Sequence, residues 1–205
     1  MATYYFRNAG TDWGTAANWS LTSGGGATGA VPTNADNAIF DASSTNCTVN
    51  ASNRVCKTIN FSAYTNTITM SNNITVSGSI TFGASMNVSG SGTMIINATG
   101  TITSNGYVWP NAFSFGGTNQ TYTLASTTRF SGTTTFLTGI TTLNSNTLEV
   151  ATLTMTGSVN GTSNLRMYTT GTWSGGGIVF NNLTFNSAGI ITLSGTVLKQ
   201  NNTLT

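Results

Sequence analysis

The acid–base chemistry of this chain has to come from four carboxylates, Asp12, Asp36, Asp41 and Glu149, because the sequence has no histidine. That removes the commonest general base, metal ligand and pH switch. Carbohydrate-cleaving β-proteins work through paired carboxylates in a groove, and Asp36 and Asp41 are the acids close enough in sequence to form such a pair. Five residues apart in a strand-like stretch, they project to opposite faces. The spacing therefore predicts hydrogen bonding in a turn or cap, with a calcium site built from the two acids and backbone carbonyls as the alternative. Asp12, beside Trp13, reads the same way. Glu149 stands alone in a strand-like segment and reads as a solvated edge charge that discourages wrong strand pairing. No catalytic residue, metal site or cofactor is expected from this set.

Cys47 and Cys56 flank the turn region Asn50 to Arg54. Their separation fits a disulfide across a hairpin or between adjacent coils; two reduced, buried thiols are the alternative, favoured if the protein is assembled inside a cell. The Gly triplets 24–26 and 175–177 lack the Lys-Ser/Thr of a phosphate loop and read as turns. Tyr107, Trp109, Phe113, Phe115 and Trp173 are candidates for stacking on sugar rings if they are exposed. Eleven Asn-x-Ser/Thr triplets are no more than this Asn and Thr content yields by chance. Thr-x-Thr pairs at Thr67/Thr69, Thr101/Thr103, Thr121/Thr123, Thr133/Thr135 and Thr152/Thr154 could form hydroxyl ranks on a flat face, the design of Thr-rich ice-binding proteins. Their spacings of 34, 20, 12 and 19 residues are not one coil length.

These residues sit in an unusual background. Thr (42), Asn (25) and Gly (24), with Ser, make up more than half of the 205 residues, while charged residues are 5%, against about 25% in an ordinary domain. The polar surface must be built from hydroxyls and amides. The 38% hydrophobic content predicts a folded chain. Six cations spread thinly from Arg7 to Lys199 argue against nucleic-acid binding, and the short apolar runs against a membrane span. The start at Met1 lacks the pattern of a secretory signal, which predicts assembly in the cytoplasm.

Helix formers are scarce, and apolar residues recur two apart between Thr, Ser and Asn: Ile59/Phe61, Ile68/Met70, Ile74/Val76, Ile80/Phe82, Met86/Val88. Gly and Asn interrupt every few residues, so the chain is all-β with short strands. The stretch Thr58–Ser62 with Thr67–Ser71 reappears as Asn182–Asn186 with Ile190–Ser194. A degenerate strand-and-turn repeat predicts a parallel β-solenoid (β-helix), without fixing the coil length, a β-sandwich being the alternative. Residues 1–45, with Trp13, Trp19 and three of the four acids, read as an N-terminal Trp-containing cap, and 46–205 as the rod.

The order Trp13, Asn18-Trp19, Val31-Pro32, Ala35-Asp36, Phe40-Asp41, then Cys56 before Thr58–Thr69, resembles the opening of Thr/Gly-rich β-solenoid virion proteins of tailed phages. It is also similar to the autotransporter-associated β-strand repeat of bacterial surface proteins. The resemblance implies a non-enzymatic structural role on a virion, as a fibre or tail-associated attachment component or a capsid-decorating protein. A bacterial surface adhesin or matrix protein is the alternative, then an ice-binding protein, then an enzyme acting on polysaccharide. Expected partners are further copies of the chain in a homo-oligomer, a trimer if a fibre, other virion proteins and a cell-surface glycan. The last residues, Lys199 to Thr205, stop in mid-pattern, which predicts that a copy, another virion protein or further chain covers the final coil.

Overall fold

The computed structural model describes residues 1–137, 140–156, 158–168, 171–174, 178–185, 191–194 and 198–204; past Tyr168 the backbone alone is described. The fold is nearly all β, with parallel strands stacked into a β-solenoid of about six turns. Each coil lays one short strand on each of three faces. The first face begins with Cys47–Val49, Thr67–Met70 and Asn87–Gly90. The second runs through Arg54–Cys56, Ile74–Val76, Met94–Ile96 and Phe113–Phe115. The third runs through Asn37–Ile39, Thr58–Asn60, Ile80–Thr81, Gly100–Thr103 and Gln120–Leu124. Parallel stacking of this kind excludes the β-sandwich.

The alternation seen in the sequence builds the core, because every second side chain of a strand points inward. Ile59, Ile80, Ile102 and Leu124 form one buried column in register, and Ile74, Met94 and Phe113 another. Each such side chain contributes about 1.5–3 kcal/mol through burial. Hydrogen bonds between neighbouring coils join residues 20 to 22 apart, which sets the coil length.

Further along, Thr128–Phe136 and Leu148–Met155 each turn a corner without leaving the strand. By chain order Val108–Trp109 takes the first-face place in its coil without pairing to Asn87–Gly90; residues 128–130 and 148–150 stack above it, and 133–136 and 152–155 continue the second face. The register shifts between Phe130 and Thr133. Gly132 sits in that bend with its Cα against the backbone carbonyls of Asn111 and Pro110 one coil below, where any Cβ would collide.

Asparagine explains much of the remaining cohesion. Ladders of like residues occur in places, as between Thr69 and Ser89 (3.0 Å) and between Ser104 and Ser126 (2.8 Å). More often the Asn amide clamps the backbone of the coil beneath. Nδ2 of Asn66 donates to the carbonyl of Ser44, Asn72 to Asn50, Asn105 to Phe82, Asn111 to Gly90 and Asn146 to Leu124, at 2.6–3.0 Å. Corners that would otherwise leave carbonyls unpaired are satisfied without charge.

The first 45 residues both cover the rod and join it. Thr3–Phe6 pairs in parallel with Asn37–Ile39 and antiparallel with Trp19–Ser20, so the starting edge of the third face is occupied. Asp12 bridges Thr48 and closes the start of the first face, with Trp13 N donating to the Thr48 carbonyl at 3.0 Å. Beneath these segments Phe6, Trp13, Trp19 and Phe40 form an aromatic cluster with centroids 5.0–5.6 Å apart. Trp19 Nε1 donates to the carbonyl of Trp13 at 2.7 Å, which lets the indole be buried.

Candidate functional site

The carboxylates of the N-terminal region are committed to turns. Asp36 accepts from Ala2 N (2.7 Å), Thr33 Oγ1 (2.6 Å) and Thr33 N (3.2 Å). The Thr33 hydroxyl, then the Ala2 amide, hold its pKa below the ordinary carboxylate value. Asp41 accepts from Ser43 N (2.8 Å), Ser43 Oγ (2.6 Å) and Ser44 Oγ (3.4 Å). Burial pushes this carboxyl up, but hydrogen bonds from Ser43, Ser23 and Ser44 outweigh it and leave the pKa lowered. Asp12 binds Gly14 N (2.9 Å) and Thr15 Oγ1 (3.2 Å), with the Arg54 guanidinium at 4.0 Å. Asp36 and Asp41 thus serve separate sets of donors on either side of Asn37–Ile39. Among the described residues no group of three or more His, Cys, Asp or Glu gathers to hold a metal.

Both cysteines are free and buried, Cys47 on the first face and Cys56 on the second. No bond joins them in the structure. Burial pushes both thiols well above the ordinary range.

Three of the aromatic candidates of the sequence lie in the core, not on the surface. Trp109, Phe113 and Phe115 have no exposed surface and cannot stack on a sugar. Phe113 lies on Phe130 at 4.2 Å, Phe115 on Phe136 at 4.5 Å and Trp109 on Phe82 at 5.0 Å. The rule that turned Ile80 and Phe82 inward applies equally to Phe113-Ser114-Phe115. Tyr107 is half-buried beside Phe82 (6.0 Å). Trp173 takes the register position after Leu153 on the second face, and its side chain lies outside the described residues.

Glu149 is also different from expectation. It is 5% exposed, not solvated, and lies in register between Arg129 of the preceding coil and Arg166 of the next. Arg129 Nε donates to Oε2 at 2.6 Å and Arg166 NH1 to Oε1 at 2.8 Å. The Arg129 guanidinium also lies 4.6 Å from the centre of the Tyr168 ring, whose hydroxyl donates to the Phe130 carbonyl at 3.1 Å. Sequence distances of 20 and 17 residues hid this stack. One-coil spacing of opposite charges is the signal that finds it.

The Thr-x-Thr pairs separate by face. Thr67/Thr69 lies on the first face, and Thr101/Thr103 and Thr121/Thr123 on the third. On the second, Thr133 is in register with Thr152, and Thr135 with Thr154. These four have solvent access, and none makes a side-chain hydrogen bond to another described residue. The backbone register carries the outer file on through Ser174 and Ser194, with Thr172 paired to Thr192 beside it.

No family model matches the chain, and no curated protein or solved structure matches it. No helix among the described residues is long and apolar enough to cross a membrane.

Proposed function

We propose that this chain is a non-enzymatic structural protein of a phage particle, a stiff rod in a fibre, tail attachment or capsid decoration. The observation that carries the mechanical part is the coil-to-coil bonding. Parallel backbone ladders and neutral Asn, Ser and Thr clamps join the coils, and the described carboxylates close turns or sit inside an ion stack. Such bonds respond little to salt, and without histidine no side chain of ordinary pKa changes charge between about pH 5 and 8. The particle itself is proposed from the resemblance carried by Trp13, Asn18-Trp19, Val31-Pro32 and Ala35-Asp36.

Cryo-electron microscopy of purified native particles tests the reading. Density for this rod in symmetric copies on a capsid or tail supports it and separates decoration from attachment. Density in an extracellular sheet or filament, with none on virions, refutes it and moves the protein to the bacterial surface class.

A further inference from the structure

We infer that the second face of the solenoid binds ice, through the double file of hydroxyls that starts at Thr133/Thr135 and Thr152/Thr154. Register pairing places Thr133 beside Thr152 and Thr135 beside Thr154 on adjacent parallel strands, which fixes one repeat at about 4.8 Å along the rod. Within a strand the two threonines are two residues apart, which fixes the other repeat at roughly 6.6 Å. The first length is close to the shorter repeat of oxygen positions on a prism face of hexagonal ice, and the second falls somewhat short of the longer one, a gap that outward splay of the side chains narrows. The backbone register continues the outer file from Thr154 through Ser174 and Ser194, with Thr172 paired to Thr192 two residues before, so the sequence of four successive strands carries Thr-x-Thr or Thr-x-Ser at this position.

The chemistry of the four described threonines fits the same ligand. Each offers a hydroxyl not engaged by another described residue, together with a methyl group. Branching at Cβ restricts χ1, so hydroxyl and methyl keep a defined arrangement from coil to coil. Water held at such an array is ordered by hydrogen bonds at the hydroxyls and by packing around the methyls. The two files contain no charged residue, whose strongly held hydration shell would disrupt that order. Between the files, Thr134 and Leu153 are buried, anchoring both strands to the core. The array has an edge: Ser114, in register below Thr135, is buried, and Thr133/Thr135 is the first described pair above it. A sugar-binding face would instead present aromatic rings, and here Phe113, Phe115 and Phe136 are turned inward.

The test uses the full chain, fluorescently labelled, and measures its fraction incorporated into a slowly grown ice hemisphere, alongside thermal hysteresis by nanolitre osmometry. The protein is expected to enter the ice, and a globular control protein to be excluded. Thr152→Tyr and, separately, Thr154→Lys are expected to lose incorporation down to the level of the control. Ser89→Tyr, on the exposed first face, is expected to retain it. Far-UV circular dichroism of each variant shows whether the coils persist, and the two face variants are independent in case one fails to fold. Exclusion of the wild-type protein from ice overturns the inference. Incorporation of a folded Thr152→Tyr or Thr154→Lys at the wild-type level overturns the assignment to this face. A dimer in sedimentation that Thr152→Tyr dissociates, with no entry into ice, also overturns it and gives the face to a second copy of the chain.

Discussion

Replacing Glu149 by Gln removes one charge from the centre of the Arg129–Glu149–Arg166 stack and leaves its shape nearly unchanged. The carboxylate side chain is 7% exposed, whereas Arg129 and Arg166 are 41% and 35% exposed. Charge-assisted hydrogen bonds are worth about 1.5–3 kcal/mol when well shielded, but exposed ion pairs only about 0.2–1 kcal/mol. With two such bonds lost and two partly solvated guanidiniums left near an amide, the expected cost lies between these limits, about 1–2 kcal/mol. Taking the arginines away instead should be worse. Arg129→Met with Arg166→Met strands a buried carboxylate, for which removal of partners costs about 3–5 kcal/mol. Replacing all three by Met, Leu and Met should recover most of the loss, since an apolar trio of similar volume carries no desolvation penalty. Urea denaturation followed by circular dichroism reads the order. Repeating it from low salt to 1 M NaCl, where the screening length falls to about 3 Å, should narrow the gap between wild type and Glu149→Gln. The reasoning fails if the double arginine variant is as stable as wild type, or if the triple variant is the least stable of the set.

Three other outcomes follow from the geometry. The pKa values of Asp36 and Asp41 are lowered by folding, so the stability they contribute is present above the unfolded carboxylate value of about 3.9 and is lost as pH falls through the lower folded values. Melting temperature should therefore drop below about pH 4, and Asp36→Asn with Asp41→Asn should flatten that limb while leaving any glycan-cleaving activity unchanged. Cys47 and Cys56 should not react with a neutral thiol reagent in the native protein, and should titrate as two thiols per chain in denaturant; a native protein with no titratable thiols in denaturant would mean a disulfide. Phe115→Ala should lower stability by about 3–5 kcal/mol by opening the stack on Phe136, measured by the shift in urea midpoint, and a glycan-binding screen should give the same result for variant and wild type.

What the sequence made legible was the period, and what it hid was the phase. Alternation at Ile59/Phe61 and Ile80/Phe82 is a local property, so it survived without any knowledge of the coil, and it carried the all-β reading and the core with it. Assigning strands to faces needs the coil boundaries, and these are blurred because every strand on every face uses the same Thr, Ile and Asn vocabulary. The repeat that pointed to a solenoid shows the difficulty. Ile59 lies on the third face and Ile68 on the first, whereas Leu183 continues the first face above Leu165 and Ile191 the second above Gly171. The two similar stretches are therefore a strand out of step, one third of a coil. The irregular Thr-x-Thr spacings have the same origin, since the pairs lie on three faces; along the second face alone, Thr133 to Thr152 is a single coil. Glu149 reads as solvated from the sequence for a related reason: a lone acid is solvated only if nothing one coil away neutralises it, and its partners Arg129 and Arg166 lie 20 and 17 residues away. In a solenoid the chemistry of a side chain is set by residues about 20 positions away on either side, so site prediction becomes reliable only once the coil phase is fixed, and the corner glycines and clamping asparagines are the residues that fix it.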